Sequence, residues 1–232
     1  MKKTSIFLKS TVVALLLLPA FLVAEEEERA EIQPKEKTEI AEELTLEEAG
    51  ELPDATRSGF FFNQQPVYYP VSSHRAVKVF PQENSLELED GSRWAVHPSD
   101  TPQTLYWGET MQLTITQNGS PFYRYWFTNH DFLIVDLSTG EYVRANLELG
   151  PILSRPSTNL ISIMDRSQRA LALTNNMELD VYSGDELIFR NWLEGQAIII
   201  GINSDWSTRD EYNFILINVY NQDFVRAKQR KY

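Results

Sequence analysis

Two stretches of this chain give the clearest indication of its fold: residues 85–96, SLELEDGSRWAV, and residues 170–181, ALALTNNMELDV. In the first stretch leucine alternates with glutamate, which is the period-two pattern of a half-buried strand. The Asp90-Gly91 dipeptide that follows strongly favours a tight hairpin turn. In the second stretch Asn175-Asn176 occupies the turn, and asparagine tolerates a positive φ better than most residues. Each stretch therefore predicts a β-hairpin.

The two stretches belong to a longer internal repeat. A shift of 85 residues aligns residues 85–118 with residues 170–203 without a gap, and eight of the 34 pairs are identical. Random pairing would give about two identities, so the match indicates a repeated structural unit. Shorter blocks extend the match outward, pairing residues 77–79 with 161–163, 123–129 with 212–218, and 142–145 with 224–227.

The repeat predicts an all-β chain that forms two tandem small β-barrels or sandwiches of SH3-like or OB-like size. Each copy has an aspartate seven residues before a tryptophan, Asp100 before Trp107 and Asp185 before Trp192. Aspartate is a favoured N-cap, and seven residues is about two helical turns. We expect one short helical turn per copy, capped by the aspartate, with the tryptophan packed back against the barrel. Later strands are predicted at residues 111–116 and 196–202, at 123–129 and 212–218, and around Val143 and Val225.

The first 24 residues have the features of a secretory signal peptide. A basic start at Lys2-Lys3 precedes an apolar run, and charge begins again at Glu25. A membrane anchor is the alternative, but the run is shorter than the ~20 residues of a spanning helix, and Pro19 interrupts it. The chain has no cysteine, so disulfides and a lipid-modified cysteine are excluded. We predict an exported chain, periplasmic or extracellular, without a transmembrane anchor after signal cleavage.

Residues 25–57 are strongly acidic, with 13 acidic side chains against three basic ones between residues 25 and 54. Such a segment has little to bury, so we expect a disordered tether, which is either a spacer or an arm for a basic partner or cations. The first module then spans residues 58–150, and the second spans residues 151–232. The aromatic residues within 58–81 either lie across a barrel as an edge strand or form an exposed patch for a partner.

No group of residues specifies a catalytic, cofactor or metal site. The histidines His74, His97 and His130 have no second ligand at a metal-like spacing, so we expect surface or loop positions. Motifs for nucleophilic catalysis and for phosphate binding are absent, and the chain lacks the basic stripe that nucleic acid requires. Two carboxylates could hydrolyse a glycosidic bond only if the fold gathered them; the candidates are Asp90, Asp100, Glu109, Asp131 and Asp136.

Two tryptophans are the best binding candidates. Trp126 lies in a predicted strand where the second copy has Ile215, so this face is either a binding surface or the seam between the barrels. Trp206 lies in a loop predicted to be longer in the second copy, where it either contacts a partner or folds onto its own barrel. Repeated asparagines are interpreted as strand-ending residues that satisfy backbone groups, with a ligand contact as the alternative; they are Asn118 with Asn203 and Asn129 with Asn218.

Several motifs of the first copy form a set: the run from Leu86 to Trp94, Asp100, Trp107-Gly108-Glu109, and Tyr142-Val143-Arg144-Ala145. This set resembles uncharacterised secreted proteins of Chlamydiae and related bacteria, which carry a signal peptide and one or two such modules. The second copy departs from the pattern, because Leu179 stands where the first copy has Trp94. The resemblance implies a fold and export, and it carries over no activity.

These observations favour a non-enzymatic binding or interaction protein of the cell envelope or the secreted space, with a protein or an envelope polymer as its partner. The reason is a duplication without a reactive cluster. The alternative is a hydrolase with an unrecognised carboxylate site between the modules, which a cleft holding an Asp or Glu of raised pKa would favour. A third interpretation is an envelope structural subunit, which self-assembly would reveal.

Overall fold

The computed structural model describes residues 28–31, 70–119 and 130–230. Within these residues the fold is nearly all β, as predicted, with twelve strands and two short α-helices. The first half contains β1 Ala76–Phe80, β2 Ser85–Leu88, β3 Arg93–Val96, α1 Thr101–Thr104, β4 Leu113–Gln117, β5 Phe132–Asp136 and β6 Tyr142–Leu149. The second half contains β7 Asn159–Asp165, β8 Ala170–Leu173, β9 Glu178–Val181, α2 Glu186–Phe189, β10 Ala197–Ile202, β11 Phe214–Asn218 and β12 Asp223–Gln229.

The strands of the two halves pair in the same order. The order is β1-β2-β3-β6-β5-β4 in the first half and β7-β8-β9-β12-β11-β10 in the second. The start of β10 also pairs with β7, which closes the second half into a six-stranded barrel. In the first half His74, which precedes β1, forms a bridge with Leu113 of β4. The halves meet where β4 and β10 run parallel, at Thr116 and Ile202.

Strands β10 and β11 are buried on both faces, which accounts for their nearly continuous apolar sequences, AIIIGI and FILIN. Alternate residues of a strand point to opposite faces, so each of these two strands serves two cores. The residues that face the second-half core are Ile198, Ile200, Phe214 and Leu216. Those that face the first-half core are Ala197, Ile199, Ile215 and Ile217. Strands of the second half therefore complete the first-half core.

Both predicted hairpins are present. Strands β2 and β3 pair antiparallel around a turn in which Gly91 has a φ of +83°. Strands β8 and β9 do the same around Asn176, whose φ is +65°. Glycine and asparagine adopt this left-handed conformation at low cost. Asp90 and Asn175 each accept a hydrogen bond from the backbone N–H two residues on, so the same side-chain contact stabilises both turns.

One predicted strand is in the wrong place. The fifth strand of the first half is β5, whereas the sequence match assigned that position to residues 123–129. The strand register makes Phe132 equivalent to Phe214, because they pair with Ala145 and Ala227 respectively. Every residue of β5 is buried, and the four apolar residues 132–135 suit such a position better than a segment that contains arginine. Residues 120–129 lie outside the described residues.

This register corrects three further expectations. Asp136, and not Asn129, is equivalent to Asn218, and His130 is equivalent to Tyr212. More residues separate β4 from β5 than separate β10 from β11, which reverses the predicted length difference. The match of residues 77–79 also moves by one position, because the pairing of β1 with β2 and of β7 with β8 places Ala76 at the position of Ile161.

Residues 28–31, inside the predicted tether, pack against the connection between the halves. Arg29 forms an antiparallel bridge with Ile152, and the Ala30 N–H donates to the carbonyl of Pro151 at 3.1 Å. Ala30 is only 4% exposed. Arg29 is half-buried, whereas Glu28 and Glu31 are exposed, so the backbone of this short segment is bound to the fold while its acidic side chains face solvent. The predicted signal peptide, the rest of the tether and residues 58–69 of the aromatic extension lie outside the described residues.

Candidate functional site

Asp100 and Asp185 begin the two helical turns, but neither makes a capping hydrogen bond through its side chain. Each carboxylate instead binds an arginine in the last strand of its half. Arg144 donates from Nε and Nη2 to Asp100, both at 2.7 Å. Arg226 donates the same two bonds to Asp185, at 2.9 and 2.6 Å. The capping prediction is wrong because a two-donor guanidinium is a stronger partner for a carboxylate than one backbone N–H.

Apart from its aspartate, each of the two arginines contacts a further residue, and this residue differs between the halves. Arg226 Nη1 donates to Asp205 Oδ2 at 2.9 Å. Arg144 Nη2 donates to Ser99 Oγ at 2.7 Å and lies 3.3 Å from His97 Nδ1. Arg226 therefore connects the start of α2 and strand β12 to the segment that follows β10, whereas Arg144 connects to the turn before α1.

An aromatic pair lies at equivalent positions in each half. Tyr182 and Tyr212 meet edge to face with ring centroids 5.0 Å apart, and His97 and His130 do so at 5.2 Å. Burial and the charge of Arg144 lower the pKa of His97, so its ring is neutral at physiological pH. Both histidines are half-buried residues outside the helices and strands, which agrees with the expectation of surface or loop positions, and their rings form an ordered pair.

The Trp206 loop, residues 203–213, connects β10 to β11 and is held from inside by Asn203. The Asn203 Nδ2 donates to Thr208 Oγ1 at 3.0 Å and to the carbonyl of Tyr212 at 2.6 Å. Its Oδ1 accepts the backbone N–H of Asp205 at 2.9 Å. Asn203 is buried, so one side chain fixes the beginning, the middle and the end of the loop.

Asn118 has the same role at the base of the loop that follows β4. Its Nδ2 donates to the carbonyl of His130 at 3.0 Å, the position equivalent to Tyr212. The recurrence of Asn118 and Asn203 is thus explained by loop closure. Trp126, the other binding candidate, lies outside the described residues.

The two loops begin side by side because β4 and β10 run parallel. Gln117, the last residue of β4, donates from Nε2 to Asn203 Oδ1 at 2.6 Å. The hydroxyl of Ser204 donates to the carbonyl of Gln117 at 3.2 Å. The first half therefore supports the base of the Trp206 loop.

Trp206 projects into solvent and is 83% exposed, so it does not fold onto its own barrel. The residues around it are nevertheless ordered. Asp205 Oδ1 accepts the N–H and the hydroxyl of Ser207 at 3.0 and 2.7 Å. The backbone carbonyl of Asp205 accepts the N–H groups of Thr208 and Arg209 at 3.1 and 2.8 Å. A large apolar ring on an ordered backbone is suited to contact with a partner, because little flexibility is lost on binding.

Charged side chains form the rim of this loop. Arg209 lies 3.9 Å from Asp210, whose side chain is 97% exposed. Glu211 accepts a hydrogen bond from Lys228 at 2.6 Å. An exposed aromatic residue within a charged rim has the composition of a small protein contact surface.

The carboxylates considered for hydrolysis have different surroundings in the structure. Asp90 is buried in its hairpin turn, where burial raises its pKa. Asp136 is buried and accepts the hydroxyls of Ser138 and Thr139. Asp100 is bound by its arginine, Glu109 is exposed and Asp131 is half-buried. The buried carboxylates are therefore each engaged in a separate turn or ion pair.

His74, for which a surface or loop position was expected, lies in the segment before β1 and is buried, with 7% of its surface exposed. Its Nδ1 lies 3.0 Å from Glu89 Oε1, and its Nε2 lies 2.8 Å from the carbonyl of Ile200 in the second half. Burial lowers the pKa of His74, but the hydrogen bond and charge of Glu89, with smaller effects of Asp90 and Ile200, outweigh burial and raise the pKa to about 9. His74 is therefore a charged group at the contact between the halves.

Comparison of the chain with protein-family models, with curated proteins and with solved structures found no match. Over residues 28–31, 70–119 and 130–230, no helix has the length and apolar character needed to cross a membrane. In the same residues, no three His, Asp or Glu side chains lie together as a metal site would require. The exposed indole of the Trp206 loop is the feature of the described residues that bears most directly on function.

Proposed function

We propose that this chain is an exported, non-enzymatic binding protein of the cell envelope or secreted space, which contacts a partner protein through the Trp206 loop. The observation that carries the proposal is the exposed indole of Trp206 on a backbone fixed by Asn203 and Asp205. Tryptophan is enriched among the residues that dominate binding energy, because its large face excludes much water on contact. The charged rim favours a protein partner over an envelope polymer. The crosslinking experiment described below distinguishes these two kinds of partner.

We further propose that the two halves are tandem copies of one small barrel of SH3-like or OB-like size. Three features support this interpretation: the identical strand order, the Asp–Arg pair in each half and the aromatic pair beside it. The copies then differ in task, because the arginine of the second copy contacts the Trp206 loop.

Export is proposed from residues 1–24 and from the resemblance to secreted proteins of Chlamydiae and related bacteria. Cleavage after Ala24 leaves Glu25 as the new N-terminus, a few residues before the packed segment at residues 28–31. N-terminal sequencing of the protein recovered outside the cytoplasm tests this directly, and a retained Met1 would contradict it.

The binding proposal is tested with Trp206→Ala and a matched control, Tyr106→Ala. Tyr106 is an aromatic residue of similar exposure, 86%, in the turn after α1 of the first half. The purified chain is immobilised and incubated with a fluorescently labelled protein extract of the cell envelope. We expect Trp206→Ala to reduce retained label about tenfold, as expected for a hot-spot residue, and Tyr106→Ala to leave it unchanged.

A photoreactive amino acid at position 206, and separately at position 106, identifies what lies against the loop. A protein crosslinked from position 206 alone supports the proposal, and retention of sacculus fragments instead would assign an envelope polymer as the partner. Equal retention by both alanine variants would contradict the proposal. Turnover in a broad hydrolase screen, abolished by changing one carboxylate, would replace binding with the hydrolase alternative.

A further inference from the structure

We infer that Asp205 and Arg226 are positioning residues that hold Trp206 in its binding orientation; this inference rests on the proposed function. Neither residue needs to touch the partner. Their role follows from the way one carboxylate joins the loop to the barrel next to the exposed indole.

Arg226 is itself rigidly held before it reaches the loop. Its Nε and Nη2 both bind Asp185, and its backbone N–H donates to the same carboxylate at 2.8 Å. The guanidinium also stacks on Tyr182, with its carbon atom 4.4 Å from the ring centroid. A planar guanidinium fixed on one edge presents its remaining nitrogen in one direction, and that nitrogen, Nη1, meets Asp205.

The side chain of Asp205 links Arg226 to the backbone on both sides of Trp206. Its Oδ2 accepts from Arg226, and its Oδ1 accepts from the residue after the tryptophan, Ser207. Burial raises the pKa of Asp205, but the bonds from Ser207 and the charge of Arg226 outweigh burial and lower the pKa. The carboxylate is therefore ionised at neutral pH. Its bonds to Arg226 and Ser207 fix the residues immediately before and after Trp206, which are Asp205 itself and Ser207.

The variant Asp205→Asn separates the two contacts of this side chain. The amide oxygen can still accept from Ser207, but the amide nitrogen cannot accept from Arg226, and the negative charge is gone. Asp165→Asn is the matched control, because Asp165 accepts the same two bonds from the serine two residues on, Ser167, in the turn between β7 and β8, and the variant makes the same charge change away from the Trp206 loop. Hydrogen exchange of the Thr208 and Arg209 amides reports the order of the loop.

We expect Asp205→Asn to raise exchange of these two amides about tenfold, by lowering the free energy of local opening. Retention of the labelled envelope-protein extract should fall about fivefold, because part of the binding energy is then spent on ordering the loop. Asp165→Asn should change neither quantity. Unchanged exchange together with unchanged retention in Asp205→Asn would overturn the inference.

A double variant separates this inference from the proposed function. If Asp205 acts through Trp206, adding Asp205→Asn to Trp206→Ala should cause no further loss of retention. A further loss would show that Asp205 contacts the partner itself, which overturns its assignment as a positioning residue. Failure of Trp206→Ala to reduce retention refutes the binding proposal instead, whatever the exchange rates show.

Discussion

The core of the second half is formed by residues of that half, whereas the core of the first half also contains residues of the second half. The second-half cluster is built from strands β7 to β12 and α2 with Trp192. The first-half cluster includes residues of β10 and β11 from the second half. The two halves therefore differ although their strand order is the same. Without the second half, the first-half core would lose its contacts with β10 and β11. We expect the described part of the chain to unfold as one cooperative unit.

The largest expected effect comes from Trp192→Ala. Trp192 is fully buried, its ring lies 6.0 Å from Phe189, and its indole N–H donates to Asp223 at 2.8 Å. Removing a buried tryptophan costs about 3–5 kcal/mol. Chemical denaturation followed by tyrosine fluorescence and by far-ultraviolet circular dichroism should show one coincident transition at lower denaturant. Two separate transitions, with the first half still folded, would contradict the shared core.

The next largest effects are expected at the two Asp–Arg pairs. Burial raises the pKa of Asp100, but hydrogen bonds from Arg144 outweigh burial and lower the pKa, so the pair is ionised. Asp100→Asn should lower the free energy of unfolding by about 3 kcal/mol, the low end for breaking a buried ion pair. Asp185→Asn should cost about 1 kcal/mol less, because Arg226 keeps a charged partner in Asp205. Urea denaturation of both variants measures the difference, and an equal or larger loss for Asp185→Asn would contradict it.

The contact of His74 with the second half should make stability depend on pH. Its folded pKa of about 9 lies above the ordinary value of 6.5, so its contribution is complete below the unfolded pKa. That contribution is lost as the pH rises through the folded pKa, and a shift of this size corresponds to up to about 3 kcal/mol. The groups that face His74 are Glu89, whose pKa is lowered, and Asp90, whose pKa is raised.

The control for His74 replaces it and Glu89 by the residues found at the equivalent positions of the second half. The register places Asn159 and Thr174 of the second half at the positions of His74 and Glu89. The double variant His74→Asn with Glu89→Thr should therefore lose most of the decrease in stability between about pH 7 and pH 10. Guanidinium denaturation across this range tests it. A slope equal to that of the parent chain would show that other groups cause the alkaline loss.

The repeated hairpins could be predicted from sequence because their signals are local. Alternating leucines and the Asp90-Gly91 turn act over a few residues, and Asn176 supplies the positive φ in the second half. Strand β5 could not be placed in this way. The first four residues of its FLIVD sequence are all apolar, so it carries no alternation, and its register depends on pairing with β4 and β6.

The candidate site was only half predictable. Trp206 stood out as an aromatic residue in a loop, but its exposure is decided by bonds from Asn203 and Asp205. Arg144 and Arg226 were visible as repeated residues, as were Asp100 and Asp185, yet nothing local indicates that they pair across about 40 positions. His74 gave no signal, since its partner Ile200 lies 126 residues away. Contacts between distant segments are set by the packed fold.

The smallest effect, about 2 kcal/mol, is expected where the two halves touch. A Cβ at Gly201 would collide with the carbonyl oxygen of Ile115 in β4 and meet Ile215 Cγ1 at 2.8 Å. Gly201→Ala should therefore separate β4 from β10 and destabilise the chain by about 2 kcal/mol, as overpacking does. Gly108→Ala is the control, because nothing lies within 4 Å of its added methyl group. Thermal unfolding compares the two, and equal midpoints would mean that the parallel contact between the halves is looser than the strand pairing of Thr116 with Ile202 indicates.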